Sequence, residues 1–259
     1  MKRLAATLLV ILATTLLTVV FADARQEYKP PAQQEFKPPT GPAPRTPSGK
    51  VDFSGVWEKP YVPDMTKDGK GQKGWADLPF TPWGAAEWKA YDAAEGDYTG
   101  SCLPFGMTRS MNTPEPMQFM QSDTYLGFLF EQNSWFTVVP IDGRKHRDGI
   151  ATWFGDSVGH WEGDTLVIDT VNFNGKTRLD TVGHPHSEQL HLTQRFSRPD
   201  LGHINYEMIV TDPVYYTKPI VNKRVFTLRT DWEIMEYSCE ENNLGLEDGT
   251  ITRWHYPDR

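Results

Sequence analysis

The sequence has few cysteines and no excess of positive charge. Its 259 residues include only two cysteines, so it is not one of the small scaffolds that disulfides hold together. The formal net charge at pH 7 is −8. An acidic chain lacks the basic faces that bind nucleic acids and anionic membranes, so neither is predicted as a partner. The 38% hydrophobic content suffices for one substantial β-domain or two small domains.

Familiar catalytic motifs are also missing. The chain contains no G-x-S-x-G elbow, Walker loop, dinucleotide fingerprint, C-x-x-C pair or H-E-x-x-H motif. The sequence therefore gives no support to serine hydrolysis, nucleotide use or thiol redox relays through known motifs.

One long apolar run is present, and it lies at the N-terminus. Lys2 and Arg3 precede the apolar run 4–21, and a small-x-small triplet follows at 22–24. This pattern predicts a signal peptide over 1–24, with an uncleaved anchor as the alternative. No later stretch is long and apolar enough to cross a bilayer. We therefore expect a secreted or periplasmic protein with no transmembrane segment after cleavage.

A proline-rich stretch follows the apolar run. Residues 25–50 contain seven prolines and no apolar periodicity, and a Gln-Glu-aromatic-Lys-Pro-Pro motif at 26–31 recurs at 34–39. Such a composition favours polyproline II and cannot bury a core. We predict a Pro-rich disordered linker over 25–50 that acts as a spacer, with a docking motif as the alternative. One folded domain would then span 51–259.

One helix is predicted within that domain. Thr81 suits the N-cap and Pro82 the first helical position, while Gly96 suits the end of the helix. Helical spacing places several apolar side chains on one face. They are Trp83, Ala86, Ala90, Tyr91 and Ala94.

The rest of the domain is a succession of strand patterns joined by short turns. Asp142-Gly143 and Asn174-Gly175 are turn signals. The predicted strands are 51–57, 126–131, 135–140, 158–161, 165–173, 189–196, 205–211, 224–229, 232–239 and 250–256. A meander this long must protect its edge strands, and closing into a barrel is the simplest way. We predict an all-β fold, a single antiparallel up-and-down, lipocalin-like barrel with one short helix.

Two sets of motifs resemble known proteins. The G-x-W triplet at 55–57 resembles that of the lipocalin and wider calycin barrels. A larger set is similar to a family of secreted bacterial proteins that is chiefly uncharacterised. It comprises DFSGVW at 52–57, TPWG at 81–84, CLP at 102–104, GHWEGDTL at 159–166, GHPHSE at 183–188 and CEEN at 239–242. The resemblance implies export and an extended β-barrel, and it carries over no catalytic residue.

Three imidazoles and a carboxylate lie within the stretch 183–191. In an extended chain His184, His186 and Glu188 share one face, with Glu188 at the rim of the barrel interior. These three residues form a candidate acid/base group in the barrel mouth. Alternatively, His184, His186 and His191 bind Zn²⁺ or Cu²⁺, or the stretch is a turn whose side chains cap backbone groups.

Two further carboxylates and an arginine are candidates for the same site. Asp169 interrupts the apolar strand 165–173, and a carboxylate on an apolar face is costly unless it is paired. It either belongs to a ligand site or bonds to Thr170 or an arginine. Arg178 and Asp180 line the same mouth if the connection before the histidines folds over the opening.

Aromatic residues are abundant, with 9 Trp, 10 Tyr and 13 Phe. Many must fill the core, but those near turns suit an apolar cavity with a polar rim. Glu236 shares a face with apolar residues and is either an inward proton donor or part of an exposed acidic edge. The candidate ligand-binding residues are Trp153, Phe154, Asn172, Arg178, Tyr215, Tyr216 and Glu236.

The two cysteines, Cys102 and Cys239, lie in a chain predicted to be exported. A disulfide between them is the default expectation, and a reactive thiolate is the alternative. The disulfide would tie the segment after the helix to the last long predicted strand.

These observations give three function hypotheses. The first is an exported barrel that binds a small apolar or aromatic molecule. The second is a metal-independent lyase, hydratase or isomerase that uses the His–Glu group, supported by Asp169 or Asp180. The third is an envelope metal-binding protein. A scaffolding role through the Pro-rich repeat is a further alternative.

Overall fold

The structure is a computed structural model that describes residues 35–92, 97–149 and 151–241, together with Asn243, Gly245 and Gly249. The described residues from Pro38 onward form one compact unit. The predicted signal peptide, the predicted helix end at Gly96 and the predicted strand 250–256 lie outside the described residues.

The compact unit is built around one antiparallel sheet. Its strands are β1 (Gly55–Glu58), β2 (Gln72–Lys73), β3 (Met117–Gln121), β4 (Tyr125–Phe130), β5 (Phe136–Pro140), β6 (Asp156–Glu162), β7 (Thr165–Val171), β8 (His191–Ser197), β9 (His203–Thr211) and β10 (Ile220–Leu228). The strand order is β5-β4-β3-β1-β10-β9-β8-β7-β6, and β2 pairs with β10 beside β1. Neighbours in space are thus neighbours in the chain, and the first strand meets the last. The predicted all-β, up-and-down barrel is confirmed.

The barrel has one seam, between β5 and β6. Every pair along the nine-strand path is antiparallel, so β5 and β6 run in the same direction. The start of the β5–β6 connection bridges them, because the Gly143 N–H donates to the Gly159 carbonyl at 3.0 Å. Ile141 also packs closely on Gly159, where a Cβ would lie 3.0 Å from the Ile141 side chain. The barrel is therefore nearly closed.

The long connections gather at one end of the barrel. The register pairs His191 with Thr211 and Ile220 with Val210, which places the β7–β8 and β9–β10 connections together. Trp57 pairs with both Leu228 and Met117, so the chain between β1 and β3 also crosses this end. We call it the loop end.

The predicted helix is present and is shorter than predicted. Helix α1 spans Pro82–Ala90, and the Thr81 side chain accepts a hydrogen bond from the Gly84 N–H at 3.0 Å. The apolar face of α1 is not its buried face, because Trp83 is 60% exposed while Gly84 is buried. A Cβ on Gly84 would lie 2.3 Å from the Tyr215 carbonyl oxygen, so α1 approaches the barrel through this glycine. A second, four-residue helix, α2 (Met107–Ser110), was not predicted.

The predicted strand 232–239 is not a strand. The segment is irregular and crosses the β4–β5 hairpin, where the Met235 N–H donates to Glu131 and the Cys239 N–H donates to Asn133. Its alternating side chains suggested a strand, but no free sheet edge pairs with it within the described residues. The predicted Cys102–Cys239 disulfide is confirmed, with a Cα–Cα distance of 5.5 Å, and it anchors this irregular segment.

Aromatic side chains fill the barrel interior. Phe119 contacts Phe128 edge-to-face at 4.7 Å between ring centroids, and Phe196 meets both rings edge-to-face and lies tilted against Tyr206. Trp57 of the G-x-W triplet is fully buried, and its Nε1–H donates to the Phe53 carbonyl. The interior is a packed core, and binding must involve the ends or the outer surface.

Part of the Pro-rich stretch lies against the barrel. The Leu201 N–H donates to the Gly41 carbonyl at 2.9 Å, Arg45 pairs with Asp164, and Ser48 donates to Asp123. Residues 38–50 thus belong to the compact unit. Among the described residues, no helix is long and apolar enough to cross a membrane.

Candidate functional site

The β7–β8 connection folds into a tight turn at the loop end. The Leu179 N–H donates to the His184 carbonyl at 2.8 Å, and the Gly183 N–H donates to the Asp180 carbonyl at 3.2 Å. Gly183 has a φ of +96°, a conformation that favours glycine. The turn brings the side chains of Asp180 and His184 together, four residues apart in the sequence.

Asp180 is a completely buried carboxylate with four hydrogen-bond donors. Oδ1 accepts from the backbone N–H groups of Gly183 and His184, each at 3.1 Å. Oδ2 accepts from the Met65 N–H at 2.9 Å and contacts His184 Nδ1 at 2.7 Å. A buried carboxylate is tolerated only when it is hydrogen-bonded in this way. Its position is fixed by three backbone amides, so Asp180 in turn fixes the imidazole.

His184 lies in a box of aromatic side chains. Its ring stacks on Trp88 of α1 at 4.2 Å between centroids, with Trp75 edge-on at 6.1 Å and Phe80 at 6.5 Å. The residue is 3% exposed. Because Asp180 is an acceptor, Nδ1 carries the proton in the neutral imidazole and Nε2 has the lone pair. Nε2 has no hydrogen bond from the described residues, so it is the atom available for proton transfer.

Arg178 and Tyr91 extend the site towards α1. The Arg178 guanidinium lies over the Tyr91 ring at 4.7 Å and 3.7 Å from Glu87 Oε1. Tyr91 packs directly on Gly183, where a Cβ would lie 1.9 Å from its ring. Burial, and the nearby Asp97 carboxylate, raise the pKa of Tyr91 to about 12, so it is neutral at pH 7. Arg178 and Asp180 thus both lie at the loop end.

His186 is buried two residues further on but has different surroundings. Its Nε2 contacts the Thr177 hydroxyl and its Nδ1 donates to the Ser187 carbonyl at 3.0 Å. The ring meets Phe173 edge-to-face. Both ring nitrogens bond within the connection itself, so His186 stabilises the turn and does not join the Asp180–His184 pair.

Glu188 and His191 are not part of this site. Glu188 is exposed, on the far side of a turn in which Ser187 bonds to the buried Asp212. His191 is half exposed at the start of β8 and pairs with Asp169. The extended-chain assumption that put these side chains on one face is wrong, because the stretch bends at His184 and again at Ser187. The predicted His–Glu group and the predicted three-histidine metal site are therefore not formed.

Asp169 belongs to a second cluster on the outer face of the barrel. The inward side chains of β7 are Leu166, Ile168 and Thr170. Asp169 therefore lies on the outer face of the strand, which is the face that the sequence showed to be apolar around it. Its carboxylate contacts His191 and, at 2.8 Å, His146 Nε2. His146 Nδ1 contacts Asp156 at 3.0 Å.

The other predicted ligand-binding residues do not share one cavity. Tyr215 and Tyr216 are core residues, and the Tyr216 hydroxyl donates to the Pro185 carbonyl. Phe154 packs against Phe130 of the core, and Trp153 and Asn172 are both half-buried. Glu236 is exposed. Two surface cavities of about 550 and 310 Å³, on the outer face beside β2 and at the β5–β6 seam, include none of these residues.

Sequence reasoning missed most of the side chains around His184. Trp75, Phe80 and Trp88 lie about 100 residues before the imidazole in the sequence, and no local pattern links them to it. The TPWG motif at 81–84 indicated only where α1 begins, not which side chains lie around His184. Asp64 was also missed, although it lies beside Met65, whose amide binds Asp180.

Within the described chain, one group of side chains has the geometry of metal ligands. It consists of Asp64, Asp180 and His184. One donor atom from each lies within 4.8 Å of the others. Two carboxylates and an imidazole suit Zn²⁺. Asp180 already accepts four hydrogen bonds, so a cation here would replace the proton between Asp180 and His184.

No protein-family model matches the chain, and no curated protein shows significant similarity to it. The class of fold is nevertheless clear, because the barrel-shaped antiparallel sheet fits a lipocalin-like binding fold. The resemblance to the secreted bacterial family stays a prediction.

Proposed function

We propose that this protein binds a small molecule with an apolar or aromatic part at the loop end of the barrel, where the Asp180–His184 pair transfers a proton. The reaction class is that of a lyase, hydratase or isomerase. The observation that carries the proposal is the fixed contact between His184 Nδ1 and Asp180 Oδ2, at 2.7 Å, inside an aromatic box. Asp180 takes over the role first expected of Glu188.

The chemistry follows from the tautomer that Asp180 selects. Nε2 of the neutral imidazole takes a proton from a bound carbon or oxygen acid, and the adjacent carboxylate stabilises the imidazolium that forms. The aromatic rings supply the apolar contact for the ligand and exclude water. Since His184 is 3% exposed, a ligand reaches Nε2 only when the side chains of α1 move aside.

The experiment is an untargeted exchange assay. Purified protein is incubated in D₂O with a small-molecule extract of the cell envelope, and the compounds are compared by mass spectrometry. We expect at least one compound to gain deuterium or change mass with the wild type, and none with His184→Gln. The proposal is overturned if no compound changes, or if His184→Gln changes the same compounds at the same rate.

A second histidine pair provides the matched control. His203 Nδ1 contacts Asp200 at 2.9 Å in a partly exposed turn between β8 and β9 at the opposite end of the barrel. His203→Gln removes a similar pair without touching the aromatic box. It should leave every compound change intact, and a loss with both variants would point to an effect on folding alone.

Metal binding is a second candidate function, supported by the convergence of Asp64, Asp180 and His184. Adding Zn²⁺ to chelator-treated protein would then raise the melting temperature, because a metal that binds only the folded state stabilises it. Asp64→Asn would abolish that shift. No shift in the wild type, or an equal shift in Asp64→Asn, would reject this candidate.

A further inference from the structure

The outer face of strands β3, β4 and β5 carries apolar side chains that point into solvent. The register places Met120 of β3 beside Gly127 of β4, and Gly127 beside Val138 of β5. Tyr125 and Phe136 lie on the same face, because side chains alternate between the two faces of a strand. Met120, Tyr125, Phe136 and Val138 are all exposed. These four side chains thus form one apolar strip along the outside of the barrel.

The irregular segment 232–241 extends this strip at the β4–β5 turn. The Met235 N–H donates to Glu131 at 2.9 Å, and the Tyr237 carbonyl accepts from the Ser134 hydroxyl at 3.5 Å. Both contacts lie close to Phe136, where β5 begins. Met235 and Tyr237 are themselves exposed. We call the combined surface the β3–β5 face, and its six side chains are Met120, Tyr125, Phe136, Val138, Met235 and Tyr237.

The β3–β5 face is large for an uncovered apolar surface. It holds six of the ten exposed large hydrophobic residues of the described chain, so these residues cluster in one place. Phe136 and Met235 are both 70% exposed. With side-chain areas of about 150–250 Å² each, the six present on the order of 600 Å² of surface. Monomers seldom expose apolar patches above about 300–600 Å², whereas a standard interface uses about 800 Å² per partner, little more than half of it apolar. The face is therefore the right size for the apolar part of a stable interface.

The two ends of this face carry opposite charge. At the β4–β5 turn, the segment 232–241 contains four exposed glutamates and no lysine or arginine. They are Glu233, Glu236, Glu240 and Glu241. At the other end, Arg144 lies over the Tyr125 ring at 5.2 Å, and Lys145 lines the cavity at the β5–β6 seam beside Val138.

The basic side chains at the Tyr125 end still have donors to offer. Arg144 bonds to Asp142 through Nε and Nη2, and its Nη1 takes no part in these bonds. Exposed ion pairs of this kind contribute little to stability, so they compete weakly with another carboxylate. Among the described residues, Lys145 has no ion pair. This end of the face can therefore receive glutamates from a second molecule.

We propose that the β3–β5 face is the interface of a homodimer, in which two copies of this chain oppose these faces about a two-fold axis. Such an axis relates the two strips either in parallel or in antiparallel. The parallel arrangement would place the glutamates of one copy against those of the other. The antiparallel arrangement opposes the glutamates to Arg144 and Lys145 at both ends, so charge selects it. A face that supplies both charges itself is complementary to its own copy.

Sedimentation velocity of the whole protein over a range of concentrations tests the proposal. It gives the mass of the assembly and the dissociation constant of the dimer. We expect a dimer, and we expect Val138→Glu to raise its dissociation constant by about tenfold or more, because a carboxylate would be buried in the apolar centre of the interface.

Val225 provides the matched control. It is an exposed valine on the outer face of β10, on another side of the barrel, and Val225→Glu should leave the dissociation constant unchanged. Circular dichroism checks the fold of each variant. If Val138→Glu does not fold, Phe136→Ser supplies the second variant, with the same expected weakening.

A charge swap tests the antiparallel arrangement. Lys145→Glu and Glu236→Lys should each weaken the dimer, because each opposes like charges at both ends of the interface. The double variant should recover much of the affinity, since its exchanged charges again meet opposite charges. A double variant that is weaker than both single variants would reject the arrangement.

Three further results overturn the proposal. The first is a monomer at concentrations up to about 100 µM, which would mean that the face meets a different partner. The second is a dimer that Val138→Glu and Phe136→Ser leave unchanged, which would mean that the copies associate through another part of the chain. The third is equal weakening by Val138→Glu and Val225→Glu. None of these results bears on proton transfer at His184, so either proposal can fail alone.

Discussion

His184 Nδ1 lies 2.7 Å from Asp180 Oδ2, and the same carboxylate accepts the backbone N–H of His184 through its other oxygen. One aspartate therefore fixes both the main chain and the ring of this histidine. Since Met65 donates to Asp180 from the chain after β1, the pair also joins two connections that are far apart in sequence. The loop end is thus organised around a single buried carboxylate.

Replacing Asp180 with Asn should destabilise the protein strongly. The Asn side chain has one oxygen where Asp180 has two. Its NH₂ group would therefore face backbone N–H groups that donate to the Asp180 carboxylate, and two donors cannot bond to each other. Breaking a buried charged hydrogen-bond network typically costs about 3–5 kcal/mol. Urea unfolding of Asp180→Asn against the half-buried control Asp200→Asn measures the difference. A loss below about 1 kcal/mol, equal to the control, would contradict the central role of Asp180.

The outer cluster should make stability depend on pH. Burial lowers the pKa of His146, but hydrogen bonds to Asp169 and Asp156 outweigh it and raise the pKa above the usual 6.5. A group whose pKa is raised on folding stabilises the folded state fully below its unfolded pKa. Its contribution is then lost as the pH rises from about 6.5 through the raised value.

His146→Gln tests this dependence. Subtracting its unfolding free energy from that of wild type between pH 5 and 9 isolates the contribution of the imidazole. We expect the difference to be largest at pH 5 and to shrink as the pH rises. His160, exposed on β6 beside Glu162, is the control position, and His160→Gln should leave the profile close to that of wild type. A difference for His146→Gln that is constant over the range would reject the argument.

Reducing the disulfide should lower stability and release the segment 232–241. Cys102 and Cys239 are separated by 137 residues, and closing so long a loop restricts the unfolded chain. The chain-entropy estimate is about 5 kcal/mol. Guanidinium unfolding with and without reductant measures the loss, and hydrogen exchange locates it. An unfolding free energy that does not change on complete reduction would show that the irregular segment is held by its other contacts.

Two glycine substitutions separate backbone strain from steric conflict. Gly183 and Gly163 both have positive φ, +96° and +62°, but only at Gly183 would a Cβ meet another group, the Tyr91 ring at 1.9 Å. Gly163→Ala should cost about 1 kcal/mol from conformation alone. Gly183→Ala should cost clearly more and change the near-ultraviolet circular dichroism of the aromatic box. Equal costs would mean that Tyr91 moves aside without penalty.

The fold was predictable because its signals are local. Strand alternation and turn residues follow one another along the chain, and an up-and-down barrel pairs each strand with its sequence neighbour. The strand error at 232–239 has the opposite cause. Alternation shows that a segment suits a sheet, but it does not show that a partner edge is free.

The candidate site was predicted only in part. Asp180 and His184 were both named, but the acid/base role was centred on Glu188, which the turn at Ser187 exposes. Asp169 was made a candidate for the same site, but its side chain lies on the outer face of β7, where it contacts His146 of the β5–β6 connection. Arg224 was counted only as part of a strand, because the burial of an arginine cannot be read from one sequence.

By itself, the sequence determined the barrel, the start of α1 and the disulfide. Strand periodicity and capping chemistry are local signals, and two cysteines allow only one pairing within the chain. Only the tertiary structure decided which histidine meets a buried carboxylate and which apolar side chains gather on the outer face. Those outcomes depend on side chains from segments about 100 residues apart, such as Trp88 and His184, that meet only once the connections gather at the loop end. Long-range packing, rather than local pattern, therefore sets the chemistry of this protein.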